Sequence, residues 1–228
     1  MILCKWDKLP QNMQTEAVRP YYEALAKKTI SLIFKRCFDV CAALILLIIL
    51  SPVLLVLVVL IKIDSKGTVM FRQVRITQYG REFRIFKFRT MVQNAESLGG
   101  QITTKSDARV TRVGAFLRKC KLDELPQLLN IVTGDMSFVG TRPEVPRYVE
   151  FYTDEMRATL LLPAGVTSQA SIEYKDENEL IAGSDNVDET YVQQVLPAKM
   201  RYNLLYLMTF DFWNDIKIML RTAWAVSR

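Results

Sequence analysis

The sequence predicts a mainly helical α+β protein, and two stretches carry that prediction. Val40–Ile61 is an uncharged, apolar run, long enough to cross a hydrocarbon core of roughly 30 Å as one helix. Thr68–Met91 is dense in β-branched and aromatic residues and is split by Gln78-Tyr79-Gly80, a pattern typical of a β-hairpin. We therefore divide the chain into an amphipathic lead-in at 1–39, a membrane helix at 40–62 and a cytosolic domain at 63–228.

The composition narrows the chemistry that the chain can perform. The net charge of +6 suits nucleic acid, an anionic membrane surface or phosphorylated substrates. The apolar run favours the last two, so we expect no nucleic-acid partner. The chain has no histidine, which excludes histidine catalysis and histidine metal ligands. The four cysteines form no CxxC pair, which indicates neither a disulfide framework nor a zinc site.

Ser51-Pro52 interrupts the apolar run at its midpoint. Proline lacks an amide hydrogen and its ring collides with the carbonyl four residues back, so Pro52 bends or breaks the helix, while Ser51 can return a hydrogen bond. Polar, mostly cationic residues flank the run: Lys35, Arg36 and Asp39 before it, and Lys62, Asp64 and Lys66 after it. Such flanks favour the cytoplasmic headgroup region at both ends. The run is either a re-entrant helix broken at Ser51-Pro52 or a proline-kinked transmembrane helix.

Three further stretches predict helices outside the membrane run. Ala17–Phe38 has apolar residues at helical spacing and leads into the run, and Tyr148–Leu162 is predicted as a helix that ends before Pro163. The tail from Met200 to Val226 carries an apolar stripe at four-residue steps, made of Leu204, Met208, Phe212, Ile216, Leu220 and Trp224. Such a stripe is more often packed on a core, but with neighbouring tryptophan and basic residues it also suits an amphipathic helix lying in the membrane interface.

The predicted hairpin carries many cations, namely Arg72, Arg75, Arg84, Lys87 and Arg89. The alternation in Phe86–Arg89 predicts one packed face and one charged face. Each cation taken singly fits a solvated strand face, whereas the set together suits phosphate groups or anionic lipid.

The densest group of charged residues surrounds Asp123-Glu124. These two carboxylates follow three cations at 118–121, and the Pro126 that comes after them fits the first turn of a helix. The amides at a helix start favour negative charge, from a side chain or from a bound phosphate. The alternative is that Asp123 is a helix N-cap and Glu124 a first-turn acid.

Gly134–Pro146 is predicted as a turn-rich loop that holds Arg142 beside Pro143. A guanidinium fixed in this way can bind two phosphate oxygens at once. The alternative is a rigid surface loop whose arginine pairs with a nearby acid, and the sequence leaves both open.

Several short motifs occur in a fixed order along the chain. They are Lys35-Arg36 with Asp39, Ser51-Pro52, Phe71-Arg72-Gln73 with Arg75, Lys87-Phe88-Arg89-Thr90-Met91, Leu117-Arg118, Leu122-Asp123-Glu124-Leu125-Pro126-Gln127, Gly134-Asp135-Met136-Ser137 and Arg142-Pro143. Each is weak alone, but in this order they are highly specific. From about Lys35 to Thr222 the chain resembles the bacterial sugar transferases, the monotopic phosphoglycosyl transferases that begin lipid-linked glycan synthesis.

The resemblance implies a re-entrant helix on the cytoplasmic face of the bacterial inner membrane. It also implies an Asp-Glu dyad, Mg²⁺ and a UDP-sugar, whose phospho-sugar passes to undecaprenyl phosphate with release of UMP. Asp123 then matches the nucleophile and a metal ligand, and Glu124 matches its partner. The substrate-binding residues implied are Arg72, Gln73, Arg75, Lys87, Arg89, Arg118, Arg142 and Pro143. The sugar, the glycan pathway and the oligomeric state, a homodimer included, are left open.

The chain departs from the family pattern at four places. Thr68 and Thr141 stand where proline is usual, Thr77 replaces a glycine after the hairpin arginine, and Lys121 replaces a serine before Leu-Asp-Glu. None of these changes removes a proposed catalytic group. They bear on loop geometry and on the choice of sugar.

The mechanism expected from the resemblance has two steps. Asp123 attacks the β-phosphorus of the sugar nucleotide, and the covalent intermediate splits one difficult transfer into two easier steps. Glu124 then deprotonates or positions the acceptor phosphate, or holds the metal. The competing hypotheses are a non-catalytic, membrane-anchored adaptor whose basic hairpin binds anionic lipid and a nucleic-acid binder, in which a deep apolar anchor has no role.

Overall fold

The computed structural model describes residues 3–95, 107–174 and 186–226 and is mainly helical, as predicted. The helices are α1 (Arg19–Ala26), α2 (Thr29–Asp64), α3 (Arg112–Lys119), α4 (Gln127–Thr133), α5 (Pro146–Val149), α6 (Gln169–Glu173), α7 (Val187–Thr190), α8 (Leu196–Met208) and α9 (Phe212–Val226). The strands are β1 (Met70–Ile76), β2 (Glu82–Phe88), β3 (Met136–Val139) and β4 (Ala164–Thr167). A π-helical segment, Tyr191–Val195, joins α7 to α8.

β1 and β2 form the predicted antiparallel hairpin, with Gln73 opposite Ile85. A 3₁₀ turn at Gln78–Gly80 connects them, and within it Tyr79 has a φ of 60°, a left-handed value uncommon for a residue other than glycine. The Tyr79 hydroxyl accepts a hydrogen bond from the Cys4 amide at 3.0 Å. The tip of the hairpin is therefore fastened to the N-terminal segment. β3 and β4 form a separate parallel pair.

α2 is a 36-residue helix that contains Pro52, and within the described ranges it is the one helix long and apolar enough to cross a membrane. α2 stays helical through Ser51-Pro52, so these two residues do not interrupt it, and a bend at the proline stays a prediction. The Ser51 hydroxyl donates to the Ile48 carbonyl at 2.8 Å. That carbonyl is the one that Pro52 leaves without its usual amide donor, so the serine repairs the gap that the proline makes.

The start of α2 is docked into the protein body rather than exposed to a headgroup region, which corrects the interpretation of Lys35, Arg36 and Asp39. Lys35 and Asp39 are 2% and 1% exposed. Lys35 Nζ donates to Asp215 Oδ2 at 2.5 Å and to the Val139 carbonyl at 2.9 Å. A buried cation needs such partners, because removing it from water is costly.

Arg36 completes this docking at the end of α4. Its guanidinium donates to the Ile131 carbonyl at 2.6 Å and to the Val132 carbonyl at 3.0 Å. The last carbonyls of a helix lack intrahelical donors and carry partial negative charge, so an arginine satisfies them well.

The far end of α2 is fastened to the same body. Asp64 Oδ2 accepts a hydrogen bond from the Val113 amide, in the first turn of α3, at 3.0 Å. The buried Arg89 donates to the carbonyls of Ser65 and Lys66 at 2.7 and 2.9 Å. Both ends of the apolar helix therefore contact one protein body, while many of its side chains between them, including Ile48, Ile49 and Leu55, are exposed.

The main hydrophobic core includes the N-terminal segment. Leu9, Met13 and Val18 are each at most 4% exposed and pack in one cluster with residues of the 3₁₀ turn at Met156–Leu161 and of α8. A second, smaller cluster joins α2 to the hairpin and α4 through Ala43 and its neighbours. These two clusters hold the hairpin and α4 in fixed relation to each other.

Three of the predicted helices are divided in the structure. Tyr148–Leu162 is not one helix, because the Thr153 hydroxyl accepts a hydrogen bond from the Met156 amide and starts a separate 3₁₀ turn. The tail bends after α8, and Asp211 Oδ2 accepts from the Trp213 amide at the start of α9. Ala17–Phe38 likewise divides into α1 and the start of α2.

The apolar stripe predicted for the tail is not the buried face of α9. Asp215 and Ile218 are 2% and 3% exposed, whereas Leu220 and Trp224 are 67% and 59% exposed. Met208 of the same stripe, on α8, is also exposed, so the stripe is the buried face of neither helix. A repeat of four residues drifts around a helix of 3.6 residues per turn and therefore does not mark one side of it.

Candidate active site

Asp123 and Glu124 lie in a 3₁₀ turn, Leu122–Glu124, between α3 and α4. Lys121 precedes the turn with a φ of 56°, and this left-handed residue reverses the chain after α3. The cap positions of the turn and of α4 are occupied by Lys121 and Pro126. Asp123 is therefore not a helix N-cap, and the alternative based on capping is not observed.

Glu124 is bound by two cations that come from different parts of the chain. Lys87 on β2 donates to Glu124 Oε1 at 2.9 Å, and Arg142 donates to the same oxygen at 2.6 Å and to Oε2 at 3.4 Å. The exposed fractions of the Glu124 and Lys87 side chains are 15% and 21%. Arg142 thus pairs with an acid that lies 18 positions away along the chain.

The charges around Glu124 decide its ionisation. Burial alone would raise its pKa, but the charges of Arg142 and Lys87 and their hydrogen bonds overcome burial and lower the pKa well below the ordinary value. Burial lowers the pKa of Lys87, and the Glu124 carboxylate opposes that shift. Glu124 is therefore a permanently ionised group at neutral pH.

Asp123 has the opposite environment although it is the next residue. Burial, followed by the negative charge of Glu124, raises its pKa, while Lys87, Lys121 and Arg118 act in the other direction. Across the part of the chain that the structure describes, no side chain or amide donates a hydrogen bond to its carboxylate. Asp123 is thus a carboxylate without a fixed partner beside a group of cations.

Arg75, Gln73 and Pro143 lie next to this group. Arg75 donates to Gln73 Oε1 from two nitrogens, at 2.7 and 3.1 Å, and to the Pro143 carbonyl at 3.1 Å. Burial lowers the pKa of Arg75, and the nearby charge of Glu144 opposes that shift. These contacts fix the backbone that follows Arg142 against β1.

Arg118 approaches Asp123 from α3. Its Nε donates to Thr90 Oγ1 at 2.8 Å, and burial lowers its pKa while the charge of Asp123 raises it. The structure places Lys87, Arg142 and Arg118 beside the two carboxylates, and Arg75 lies behind them with Gln73 and Pro143 as its partners.

Two of the predicted binding residues are placed elsewhere. The Arg72 guanidinium lies 4.1 Å from the centroid of the Phe86 ring, on the face of the hairpin opposite to Lys87. Arg89 is 7% exposed and holds the end of α2. Both arginines therefore have structural contacts that do not include the carboxylates.

A buried group behind Arg142 was not found by sequence reasoning. Glu144 is 8% exposed, and its Oε1 accepts a hydrogen bond from the Tyr191 hydroxyl at 2.5 Å. The distance from Lys199 Nζ to the same oxygen is 3.7 Å. Its backbone carbonyl accepts from the Ile76 amide at 2.9 Å. Tyr191 lies in the π-helical segment, and such segments are frequent at functional sites. The acid directly after Arg-Pro was the available signal.

The residues present suit a magnesium ion that is shared with a substrate. Within the three described ranges, no group of three histidine, cysteine or acidic side chains could enclose a metal. Mg²⁺ commonly keeps several waters and binds one or two carboxylates together with substrate phosphates. The carboxylate of Asp123, which has no fixed partner, fits that mode, whereas Glu124 is already neutralised by cations.

Comparison with known proteins gives consistent results. The family model for bacterial sugar transferases matches residues 30–228. A UDP-N-acetylgalactosamine-undecaprenyl-phosphate N-acetylgalactosaminephosphotransferase of Aeromonas hydrophila is 36% identical over 191 residues, which are 82% of this chain and 42% of the relative. A UDP-glucose:undecaprenyl-phosphate glucose-1-phosphate transferase of Klebsiella pneumoniae is also 36% identical, over 85% of this chain and 40% of the relative.

A third relative is nearer in length. A UDP-glucose:undecaprenyl-phosphate glucose-1-phosphate transferase of Caulobacter vibrioides is 36% identical over 83% of this chain and 68% of its own length. The chain thus spans about two fifths of the length of the first two relatives. The relatives differ in the sugar that their names give.

Proposed function

Because the chain belongs to the bacterial sugar transferase family, we propose that it transfers a phospho-sugar from a UDP-sugar to undecaprenyl phosphate and releases UMP. The names of its relatives support this acceptor and this class of donor. One observation carries the proposal: Asp123 is a carboxylate without a partner, next to a Glu124 whose charge is matched by Lys87 and Arg142.

In the first step, Asp123 attacks the β-phosphorus of the donor. The bond between that phosphorus and the bridging oxygen breaks, UMP leaves with the electron pair, and an aspartyl phospho-sugar remains. In the second step, an oxygen of undecaprenyl phosphate attacks the same phosphorus and frees Asp123. Two anions meet in each step, so the cations of Arg118, Lys87 and Arg142 reduce the repulsion.

Glu124 acts in this scheme by holding cations. A carboxylate with a strongly lowered pKa is a weak base at neutral pH, so proton abstraction is a poor role for it. Its contacts fix Lys87 and Arg142 in one place before the substrate arrives. A preorganised charge needs no rearrangement during the reaction.

Mg²⁺ is part of the proposal, with Asp123 as its protein ligand beside phosphate oxygens of the donor. When bound, the ion supplies positive charge that neutralises the diphosphate.

The membrane arrangement in the proposal is monotopic, on the cytoplasmic face of the inner membrane. Both ends of α2 contact the same body, and that body cannot lie on two sides of a bilayer at once. If the exposed apolar side chains of α2 enter the lipid, the helix has to leave on the side that it entered. The exposed Trp213, Leu220 and Trp224 of α9, with Lys217 and Arg221, suit a helix in the interface.

The test is a screen for UMP release over a panel of UDP-sugars, with undecaprenyl phosphate and Mg²⁺. We expect release with at least one donor, and a mass increase equal to one phospho-sugar on the peptide that contains Asp123 when the acceptor is left out. Asp123→Asn should abolish both signals. Asp154→Asn, which changes an exposed acid elsewhere on the body, serves as the matched control and should keep wild-type rates.

Two results would contradict the proposal. If the Asp123→Asn variant is active and carries the adduct on another residue, that other residue is the nucleophile. Absence of UMP with every donor, from a folded protein that still binds anionic vesicles, would favour the adaptor.

A further inference from the structure

Gln127, at the start of α4, is a buried amide without a hydrogen-bond partner. It is 1% exposed, and among the residues that the structure describes neither its Oε1 nor its Nε2 has a donor or acceptor within bonding distance. Buried polar groups are nearly always paired, because an unpaired one loses its hydration without compensation. An exception of this kind requires an explanation.

The position of Gln127 links it to the two carboxylates. Backbone hydrogen bonds from the Glu124 amide to the Lys121 carbonyl and from the Leu128 amide to the Leu125 carbonyl show that helical turns run from the dyad into α4. Gln127 follows Asp123 by four residues and Glu124 by three. On 3₁₀ turns such as Leu122–Glu124, side chains three residues apart lie over each other, and in the α-helical turn that follows, side chains four residues apart do so as well.

The possible acceptors on this turn can be separated by their existing contacts. The Glu124 oxygens already accept from Lys87 and Arg142. The carboxylate of Asp123 accepts no hydrogen bond within the described ranges. Gln127 is too deeply buried to meet a ligand arriving from solvent, so its partner has to be a neighbouring group of the protein. Asp123 is the acceptor that remains.

We propose that Gln127 is a positioning residue for Asp123, whose side-chain amide donates a hydrogen bond to the carboxylate oxygen that does not attack phosphorus. The hydrogen bond forms when Asp123 turns toward the donor, and it holds the attacking oxygen in line. This inference rests on the proposed function, because it assigns the nucleophile to Asp123. The unsatisfied amide of the resting protein is then the cost of a contact made during the reaction.

Asn130 provides a matched control on the same helix. It is fully buried, but its Oδ1 accepts from the Phe86 amide at 2.8 Å and its Nδ2 donates to the Arg84 carbonyl at 3.1 Å. Two buried amides of similar chemistry therefore differ in whether they are satisfied. Replacing the satisfied Asn130 side chain should lower the stability of the protein, whereas replacing the unsatisfied Gln127 side chain should not.

The experiment compares Gln127→Met and Asn130→Leu with the wild type, in the full chain in the same detergent or nanodisc. Thermal unfolding gives stability, and UMP release gives kcat and the KM for the UDP-sugar. For Gln127→Met we expect a Tm within about 2 °C of the wild type or higher, since no hydrogen bond is lost on folding. We expect kcat to fall at least about tenfold, the size of one hydrogen bond to a charged group, with little change in KM. Asn130→Leu should lower Tm by at least about 4 °C.

Two outcomes would overturn the inference. A Tm loss in Gln127→Met as large as that of Asn130→Leu would show that the amide has a structural partner. Wild-type kcat in Gln127→Met would show that the contact is not made during the reaction. Failure of the proposed function is distinguishable from both, because it appears as absence of UMP release and adduct in the wild type itself.

Discussion

Asp123 and Glu124 are adjacent and chemically alike, yet the structure gives them opposite environments. Glu124 is held by Lys87 and Arg142, whereas Asp123 is half-buried next to that charge without a fixed donor. The difference arises from tertiary contacts, since Lys87 on β2 and Arg142 in the loop after β3 donate their hydrogen bonds to the second of the two carboxylates. A nucleophile and a charge organiser can therefore share one dipeptide.

The pH dependence of UMP release should report this arrangement. In the proposed mechanism Asp123 attacks as an anion, so we expect activity to rise with pH through its pKa, and the raised pKa of the free protein places this acid limb above that of an ordinary aspartate. Glu124→Gln removes a charge that raises that pKa, so its limb should move to lower pH. Lys87→Met removes a charge that lowers it, so its limb should move to higher pH.

Both variants should also lose turnover, by about 10²-fold or more, because the cations are no longer held in place. The measurement is kcat/KM for UMP release from pH 4 to 8, because that ratio follows the ionisation of the protein before the donor binds. Limbs that move in the same direction, or that do not move, would mean that another group controls the acid side.

Residue types in the site were predictable from the sequence, but their pairings were not. Asp123, Glu124, Lys87 and Arg142 stand out by charge, while the contact of Lys87 with Glu124 joins positions 37 residues apart and needs the fold. Arg89 shows the converse. An arginine at a strand end has the same local sequence whether it binds a phosphate or, as here, two backbone carbonyls.

At the scale of elements, Ser51 and Pro52 form a functional pair within α2. The hydroxyl of Ser51 donates a hydrogen bond to the carbonyl of Ile48, to which Pro52 cannot donate because it has no amide hydrogen. In the hydrocarbon core no water is present to bond that carbonyl, so the serine hydroxyl removes the cost of an unpaired carbonyl that the proline would cause in a membrane helix.

A double-mutant cycle tests this pairing. Ser51→Ala should destabilise the protein by about 1 kcal/mol, the usual size of a hydrogen bond within a membrane protein. In a Pro52→Ala background, where residue 52 regains its amide hydrogen, the same serine change should cost close to nothing. The measurement is thermal or denaturant unfolding in lipid nanodiscs, with Ser51→Thr as the control that keeps the hydroxyl. Equal costs in both backgrounds would show that the serine acts independently of the proline.

Element types were easier to predict than element ends. The hairpin and the apolar helix follow from strong, local patterns and are confirmed. The divisions of Tyr148–Leu162 and of the tail were missed although Thr153 and Asp211 are common capping residues, because the apolar periodicity continues across them.

At the scale of the molecule, the flanks of α2 have the composition of a membrane signal, but in the structure Lys35 and Asp39 are buried docking groups. The residue types are the same in both cases, since a lysine before an apolar run can meet lipid phosphate or a buried acid such as Asp215. Only the tertiary structure separates these possibilities. With Asp64 at the other end, both ends of the helix meet one body.

Thiol labelling tests the monotopic arrangement. In a chain whose native cysteines are replaced by serine, single cysteines are placed at the exposed positions Lys27, Val53 and Lys66. We expect a membrane-impermeant reagent to label positions 27 and 66 only from the cytoplasmic side and position 53 from neither side. Labelling of 27 and 66 from opposite sides, or of 53 from the periplasm, would show a spanning helix.

The segment before α2 has a practical consequence for anyone shortening the gene. The match to the family begins at residue 30, but Leu9, Met13 and Val18 fill the interior and the Cys4 amide holds Tyr79 at the hairpin tip. A protein truncated at the family boundary would lose both this packing and the hydrogen bond to Tyr79. The hydrophobic surface exposed by the truncation would cause the truncated protein to aggregate before its activity could be measured.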